Sequence, residues 1–214
     1  MGVASAVTAP RGIGLFGGAF DPPHDAHLAL ASAAIDQLAL DRLHVVPTGD
    51  AWHKSRPLSP AIDRLAMCRL AFAGMAGVQV DDRELHRAGP TYTIDTLREL
   101  QAQYPGAELW LQIGADQAQA FTRWRQAKQI LDIASVSIAD RADPEGGTAT
   151  FDPQNPLPGV VLPAGRSVRQ LRLPALSHSA TEVRLRVAAG RPIDHLVPAA
   201  VARYIAEHQL YRPD

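Results

Sequence analysis

The chain has 214 residues, of which 46% are apolar and 20% charged, and its formal net charge at neutral pH is −1. These values are typical of a soluble globular protein and exclude disordered and fibrous classes. A nearly neutral chain has no overall attraction for nucleic acid or an anionic membrane, so any phosphate must bind at a local site. The only cysteine, Cys68, can form neither an internal disulfide nor a zinc cluster. We therefore expect a cytoplasmic protein with small-molecule partners. Whether it forms a homo-oligomer stays open.

Short apolar strands alternate with helical patterns over the first 140 residues. This alternation requires crossover connections, which predicts an α/β fold with a doubly wound parallel sheet. In chain order we predict a strand at 13–16, a helix beginning at His24 or Asp25, a strand at 42–49, a helix at 59–72 capped by Ser59, a strand at 77–82, a helix at 92–104, and strands at 108–114 and 134–140.

The remainder of the chain is predicted to extend the same domain, which we place at 1–214, with residues 1–10 as a flexible tail. Residues 143–159 contain four prolines and three glycines without an apolar period, which predicts a surface loop. Two short strands are predicted at 159–163 and 167–174. The pattern from 179 to 214 is helical and predicts a C-terminal helical extension.

The stretch GIGLFGGAFDPPHDAH, residues 12–27, fits two different kinds of site. Gly12, Gly14 and Gly17 spell the dinucleotide fingerprint G-x-G-x-x-G, which requires a strand before the first glycine and a helix at the third. Pro10 precedes the first glycine, and a proline pair follows the third, so neither requirement is met. We therefore favour a strand that ends before Gly17 and a helix that begins only after the prolines.

That interpretation places a phosphate site at the carboxyl end of the first strand. Gly17 and Gly18 leave backbone N–H groups open to an anion, and His24 and His27 share one face at the start of the helix. Imidazoles can donate hydrogen bonds and carry positive charge when protonated. One alternative is that the two histidines are ordinary capping or surface residues. The other is that they are two metal ligands, with Asp116 brought close by the fold as a third ligand.

Several other residues at predicted strand ends or helix starts suit a nucleotide site. Lys54 follows the second strand and is either a phosphate-binding cation or a solvated lysine. Asp116 either accepts from ribose or adenine donors or caps a helix, and Trp124 either packs in the core or stacks on a ring. For Thr91 or Thr93, the alternative is a simple helix cap. Ser179 and Glu182 form a predicted capping box beside Arg184, whose guanidinium also suits an anion.

Six segments, in order along nearly the whole chain, resemble bacterial nicotinate-nucleotide adenylyltransferases of the nucleotidyltransferase superfamily. They are GGAFDPPHDAH, PTGDAWHK, GPTYTIDTL, GADQ, SATEVR and LVPAAVARYIAEHQLYR. The resemblance implies a Rossmann-like nucleotidyltransferase fold. It also implies that the enzyme joins nicotinate mononucleotide to the AMP moiety of ATP, releasing pyrophosphate and giving nicotinate adenine dinucleotide for NAD biosynthesis.

The resemblance also implies roles for individual residues. Mg²⁺ is expected on the phosphates, held mostly by ATP, with no metal ligand assigned in the chain. The expected catalytic residues are His24, His27, Lys54 and Arg184. The expected ATP-binding residues are Gly17, Gly18, Ala19, Phe20, His24, His27, Gly114, Asp116, Ser179, Thr181 and Arg184, and those for nicotinate mononucleotide are Phe20, Lys54, Tyr92, Thr93 and Trp124.

Rival functions stay open at this point. The nearer ones are adenylyl transfer to nicotinamide mononucleotide or phosphopantetheine, and the distant one is a dinucleotide-binding oxidoreductase built on the glycine fingerprint. A catalytically weak relative is a further alternative, because Ala19 and Ala26 stand where the family pattern has threonine and glycine, and AWHK replaces its usual double proline before His-Lys.

The methyl group of Ala26 gives a first testable prediction. Alanine favours a helix by up to about 1 kcal/mol over glycine, but its side chain would obstruct a nucleotide that packs on that backbone. We expect Ala26→Gly to change the KM for ATP modestly and to leave turnover within the same order of magnitude. Steady-state kinetics check this, and a gain of several orders of magnitude would contradict it.

Overall fold

A computed structural model describes residues 10–49, 57–139, 151–174 and 178–213. Its centre is one sheet in which every neighbouring pair of strands is parallel, in the order β3-β2-β1-β4-β5-β6. The doubly wound sheet is thereby confirmed. The strands are β1 Gly12–Gly18, β2 Arg42–Pro47, β3 Val78–Val80, β4 Glu108–Gly114, β5 Ala134–Ala139 and β6 Val168–Leu171.

Helices cover both faces of this sheet. None of those in the described residues is long and apolar enough to cross a membrane. Two short 3₁₀ helices lie at Arg83–His86 and Phe121–Arg123. The α-helices are α1 Asp25–Leu38, α2 Ala61–Ala71, α3 Thr93–Gln103, α4 Ala115–Gln119, α5 Ala127–Ile133, α6 Ala180–Ala188 and α7 Ala199–Glu207.

The sheet separates two hydrophobic cores. On one face, which we call the α1 face, residues of α1, α2, α6 and α7 pack against Phe16 and Trp110. On the other, the α3 face, residues of α3, α4 and α5 pack against Leu15 and Ile113. Alternate residues of one strand point to opposite faces, so the continuously apolar strands supply both cores. The predicted C-terminal helices belong to the α1-face core, and the predicted core position of Cys68 is confirmed by its complete burial.

Several element boundaries differ from the prediction. β1 includes Gly17 and Gly18, because they pair with the last two residues of β2. Pro60, rather than Ser59, is the N-cap of α2. The predicted strand at 159–163 is wrong, since this segment has no regular structure, while the strand at 167–174 is confirmed only over Val168–Leu171.

The predicted N-terminal tail and the predicted surface loop are described only in part. Residues 1–9 of the predicted tail and 143–150 of the predicted loop lie outside the described residues. Residues 151–159 contain turns and bends, and Leu157 among them is buried in the α3-face core. The sequence analysis did not identify α4 or α5, whose short lengths give little apolar periodicity.

The order of the strands positions a site at one edge of the sheet. The chain runs outward from β1 through β2 to β3, then returns to pair β4 with the other side of β1. The connections after β1 and β4 therefore leave toward opposite faces of the sheet. A crevice forms between them at the carboxyl ends of the strands, which is where open α/β sheets bind ligands.

A buried polar cluster stabilises the β2 end of the sheet. His44 is fully buried, with Nδ1 2.8 Å from Asp81 Oδ2 and Nε2 3.1 Å from the Tyr104 hydroxyl. Arg83 donates to the same carboxylate from Nη2 at 2.6 Å. Burial alone would raise the pKa of Asp81, but the hydrogen bonds from His44 and Arg83 outweigh it and hold the pKa well below its usual value.

This cluster predicts a pH-dependent loss of stability in Asp81→Asn. We expect the free energy of unfolding to fall by about 2 to 3 kcal/mol at pH 7, as for other hydrogen bonds to buried charges. The pKa of Asp81 is lower in the folded than in the unfolded chain. Its contribution is therefore complete above the unfolded value near pH 4 and is lost as the pH falls through the folded value.

Urea denaturation at pH 7, 5 and 3 measures this effect. The gap between wild type and Asp81→Asn should be equal at pH 7 and 5 and smaller at pH 3. Asp194→Asn, at an exposed residue with no ion pair among the described residues, is the matched control and should show no gap. A gap that persists unchanged at pH 3 would contradict the assignment.

Candidate functional site

The loop between β1 and α1 forms the middle of the site. Gly17 is exposed at the end of β1, and a Cβ built on it would meet no other atom within 4 Å. The space above this backbone is therefore open, as a closely approaching ligand requires. Gly18, Ala19 and Phe20 follow, and Phe20 is buried with a φ of 46°, a left-handed conformation that few bulky residues adopt.

Buried polar contacts hold this loop in place. Asp21 is 2% exposed, and its carboxylate accepts from the Tyr211 hydroxyl at 2.7 Å and from the Ser59 N–H at 3.2 Å. Arg64, also 2% exposed, donates to the Ala19 carbonyl oxygen at 3.0 Å. Burial lowers the pKa of Arg64, and the nearby Asp21 charge partly offsets this. The loop is thus bonded to α2 and to the C-terminal segment.

The two predicted histidines lie together at the start of α1. His24 is its N-cap and is buried, and His27 is half-buried in its first turn, with the two ring centroids 3.8 Å apart. The His24 backbone N–H donates to Nδ1 of His27 at 3.1 Å. A neutral His27 therefore carries its proton on Nε2, which leaves that nitrogen as a hydrogen-bond donor.

A cavity of about 710 Å³ surrounds this loop and wraps over the edge of the sheet. Its lining comes from both faces of the sheet. We call the part lined by residues of the α1 face the α1-face lobe and the part lined by residues of the α3 face the α3-face lobe, and His27 and Gly17 also line the cavity. The volume is within the range of small-molecule sites. The cavity thus lies in the crevice that the reversed strand order creates.

Aromatic rings and cations line the α3-face lobe. Tyr92 and Trp124 are half-buried, pack against the α3-face core and also line the cavity. The core contact of Trp124 is thereby confirmed, and its stacking on a ligand ring stays a prediction. Arg125 lies 4.3 Å from the Tyr92 ring centroid, a cation–π distance. Arg123 lines the same lobe. This lobe can bind a flat ring that carries a negative charge.

The α1-face lobe is almost entirely apolar. Gln112 of β4 is its one polar side chain among the described lining residues of this lobe. The other lining residues of this lobe include Phe16, Ala26, Ala29, Leu30, Ala139, Leu173 and Pro174. Such a slot suits a second flat ring.

Residues at the starts of α4 and α3 line the cavity. Asp116 lies in the first turn of α4, whose N-cap is Gly114, so the capping alternative for Asp116 is wrong. A Cβ on Gly114 would lie 2.7 Å from Asp116 Oδ1, which explains the glycine. At α3 the N-cap is Tyr92, with Thr93 as the first helical residue, so neither threonine caps this helix.

The structure brings together many, but not all, of the predicted site residues. Phe20, His24, Ser179, Thr181 and Arg184 are not among the lining residues of the cavity. Lys54 lies outside the described residues. The predicted residues that line the cavity are Gly17, Gly18, Ala19, His27, Tyr92, Thr93, Gly114, Asp116 and Trp124.

The predicted helix start at Ser179 lies beside the β1–α1 loop. Ser179 is the N-cap of α6, and its hydroxyl accepts from the Glu182 N–H at 3.1 Å. The Glu182 carboxylate accepts from Arg186 Nε at 3.0 Å. Arg184 donates from Nη1 to the Asp21 carbonyl oxygen at 2.7 Å and from Nη2 to the Thr181 hydroxyl at 3.0 Å. Arg184 therefore joins α6 to the loop.

Sequence reasoning missed several polar residues of the lining, among them Gln112, Arg123 and Arg125. Arg123 and Arg125 directly flank Trp124, and this pairing of two cations with an exposed-looking aromatic was an available signal. Gln112 was also detectable as the one polar side chain inside an otherwise apolar strand interior. What the sequence could not indicate is that these residues share one cavity.

Metal binding by the protein itself finds no support in the described residues. They contain no group of three or more His, Cys, Asp or Glu side chains that could hold an ion. Among the carboxylates of the lining, Glu84 already accepts the Thr96 hydroxyl at 2.7 Å.

Comparisons with known proteins agree with this geometry. The cytidylyltransferase-like family model matches residues 15–186. A probable nicotinate-nucleotide adenylyltransferase of Albidiferax ferrireducens is 52% identical over 200 residues, 94% of this chain and 98% of the relative. Another, from Chromobacterium violaceum, is 40% identical over 215 residues, again 94% and 98% of the two chains.

Solved structures show the same fold at lower identity. Plasmodium falciparum nicotinic acid mononucleotide adenylyltransferase complexed with APC has a TM-score of 0.74 at 19% identity, over 94% of this chain and 97% of that one. The structure complexed with NaAD has a TM-score of 0.73 at 18% identity, with the same coverage. With its two-lobed cavity, its strand order and these relatives, the chain belongs to the cytidylyltransferase-like family and, within it, to the nicotinate-nucleotide adenylyltransferases.

Proposed function

We propose that this chain transfers the adenylyl group of ATP to nicotinate mononucleotide, giving nicotinate adenine dinucleotide and pyrophosphate in NAD biosynthesis. The observation that carries the proposal is the cavity, whose lining comes from both faces of the sheet and includes His27. A dinucleotide has this division, with two bases joined through phosphates. The single buried cysteine is in keeping with a reducing compartment, and we place the reaction in the cytoplasm.

The wall between the lobes would hold the reacting phosphates. The open backbone of Gly17 allows close approach of an anion, and the start of α1 adds the positive end of a helix dipole. His27 would donate Nε2–H to a phosphate oxygen, since its Nδ1 already accepts a backbone N–H. The His24 ring lies beside it, tilted by 35° with the centroids 3.8 Å apart, and would support its position.

The α3-face lobe would bind the nicotinate end. Trp124 and Tyr92 offer ring faces for stacking on the pyridine, with Thr93 beside them. Arg125 and Arg123 place positive charge in the same lobe, where the ring carboxylate would lie. The α1-face lobe then remains for the adenine of ATP, with Gly114 and Asp116 at its border for the ribose.

In the reaction, a 5′-phosphate oxygen of nicotinate mononucleotide attacks the α-phosphorus of ATP in line. The bond from that phosphorus to the oxygen bridging the α- and β-phosphates breaks, and pyrophosphate leaves with its electron pair. The nucleophile is already an anion, so neither a covalent enzyme intermediate nor a base is needed. Catalysis rests on positioning two polyanions and on offsetting their charge. ATP would enter as its Mg²⁺ complex.

The roles of the residues around the loop are part of the proposal. Arg184 and Thr181 are hydrogen-bonded to each other, and Arg184 also to the β1–α1 loop, which places one cation beside the phosphate wall. Ser179 caps the same helix, whose start adds the positive end of a helix dipole. Together they would stabilise the leaving pyrophosphate, and Lys54 would add a further cation. Phe20 would support the loop from below, packed against His27 at a centroid distance of 5.0 Å.

A direct assay tests the function. Purified protein with MgATP is supplied separately with nicotinate mononucleotide, nicotinamide mononucleotide or phosphopantetheine, and pyrophosphate release is measured. We expect fast release with the first, with nicotinate adenine dinucleotide as the second product, and much slower release with the others. No reaction with any of the three, or a preference for phosphopantetheine, would overturn the proposal.

The preference for an acid over an amide should depend on Arg125. A partly exposed charge pair contributes up to about 1 kcal/mol. We therefore expect Arg125→Met to lower the ratio of kcat/KM for nicotinate over nicotinamide mononucleotide by about fivefold. Arg125→Lys keeps the charge and should keep most of the ratio.

Arg203→Met is the matched control, because Arg203 is exposed on α7, away from this cavity. It should leave the ratio unchanged. If Arg125→Met instead lowers kcat/KM for both substrates equally, the guanidinium serves to pack Tyr92 and not to select the carboxylate.

A further inference from the structure

Gln112 occupies an unusual position in the α1-face lobe. It lies on β4 two residues after the buried Trp110, so the two side chains point to the same face of the sheet. Only 2% of its surface is exposed, yet it lines the cavity. A polar side chain in a buried parallel strand is rare unless its hydrogen bonds are satisfied.

One half of the Gln112 amide is satisfied within the protein. Ser137 is its direct partner across the β4–β5 pairing, and the Ser137 hydroxyl donates to Oε1 of Gln112. Ser137 is itself fully buried. The hydroxyl therefore sets the orientation of the amide, with Nε2 as the remaining polar atom.

The other half of the amide has no partner among the described residues. Nε2 is buried and makes no hydrogen bond to any of the residues that the structure describes. Burying an N–H donor without an acceptor costs free energy, so native proteins rarely keep one without a purpose. A donor that borders a ligand cavity can obtain its acceptor from the ligand.

The surroundings restrict what that ligand can be. Ala26, Ala29, Ala139 and Leu173 give the lobe apolar walls, which favour a flat, uncharged ring. The ring must also present an acceptor to an N–H donor at the floor. An unprotonated nitrogen of a purine meets both conditions, whereas a phosphate or a carboxylate does not suit the apolar walls.

We propose that Gln112 binds the adenine base of ATP by donating Nε2–H to one of its unprotonated ring nitrogens, and that Ser137 is the positioning residue for this amide. The proposal rests on the proposed function for the identity of the nucleotide. It adds a base-binding residue that acts on ATP affinity and not on the chemical step.

Equilibrium binding of ATP in the absence of the second substrate tests this separately from the reaction. Gln112→Leu is similar in volume and removes the donor, and we expect it to weaken ATP binding about tenfold. Gln101→Leu, on the exposed side of α3, is the matched control and should bind ATP as wild type does. The KM for nicotinate mononucleotide should not change in either variant.

Deaza analogues of ATP identify the acceptor. In 1-deaza-, 3-deaza- and 7-deaza-ATP one ring nitrogen at a time is replaced by carbon. Wild type should lose about tenfold in affinity for one of the three, and Gln112→Leu should show no further loss for that analogue. This non-additivity is what a merely structural glutamine would not produce.

A loss of folding stability in Gln112→Leu must be separated from a loss of ATP binding. Gln112→Leu leaves the Ser137 hydroxyl without its acceptor, so the double variant Gln112→Leu with Ser137→Ala removes both polar groups and is measured beside it. Unchanged ATP affinity in the folded variants, or additive losses for every analogue, would overturn the proposal. If coupling is found but nicotinate mononucleotide does not react, this inference stands and the proposed function fails.

Discussion

The buried carboxylate of Asp21 holds the loop between β1 and α1 in one shape, and the cavity depends on that shape. The hydroxyl of Tyr211, from the end of the chain, donates to it. Burial and the neighbouring carboxylate raise the pKa of Tyr211, so the hydroxyl keeps its proton and remains a donor. Arg64 and Arg184 donate to carbonyl oxygens of the same loop. Buried charges are costly unless they are paired in this way, so elements far apart in sequence must assemble around the loop together.

The reversal of strand order beside β1 explains why one cavity can serve two rings. Connections that leave β1 and β4 toward opposite faces open a crevice between them, and each face supplies one lobe. The lobes differ in chemistry because the helices that cover them differ. Small residues of α1 leave a narrow apolar slot, whereas the segment around Trp124 brings aromatic rings and guanidinium groups.

Polar side chains inside the buried strands have two different roles in this fold. His44 on β2 has partners on both ring nitrogens within the protein and contributes to stability. Gln112 on β4 has a partner for one amide atom alone among the described residues, and the residue lines the cavity. The difference follows from position, since the middle of β2 faces a loop and a helix, and the end of β4 faces the crevice.

The sequence by itself determined the parallel sheet, the start of α1 at the histidines and the family, because period, proline positions and ordered motifs are local properties of the chain. It did not determine which residues share the cavity. The lobe of Arg125, the partner of Gln112 and the attachment of Tyr211 to Asp21 depend on contacts between residues distant in sequence. Ser59, which local rules predicted as a cap, lies one residue before the N-cap Pro60, and its backbone N–H donates to Asp21, a contact that only the tertiary structure supplies.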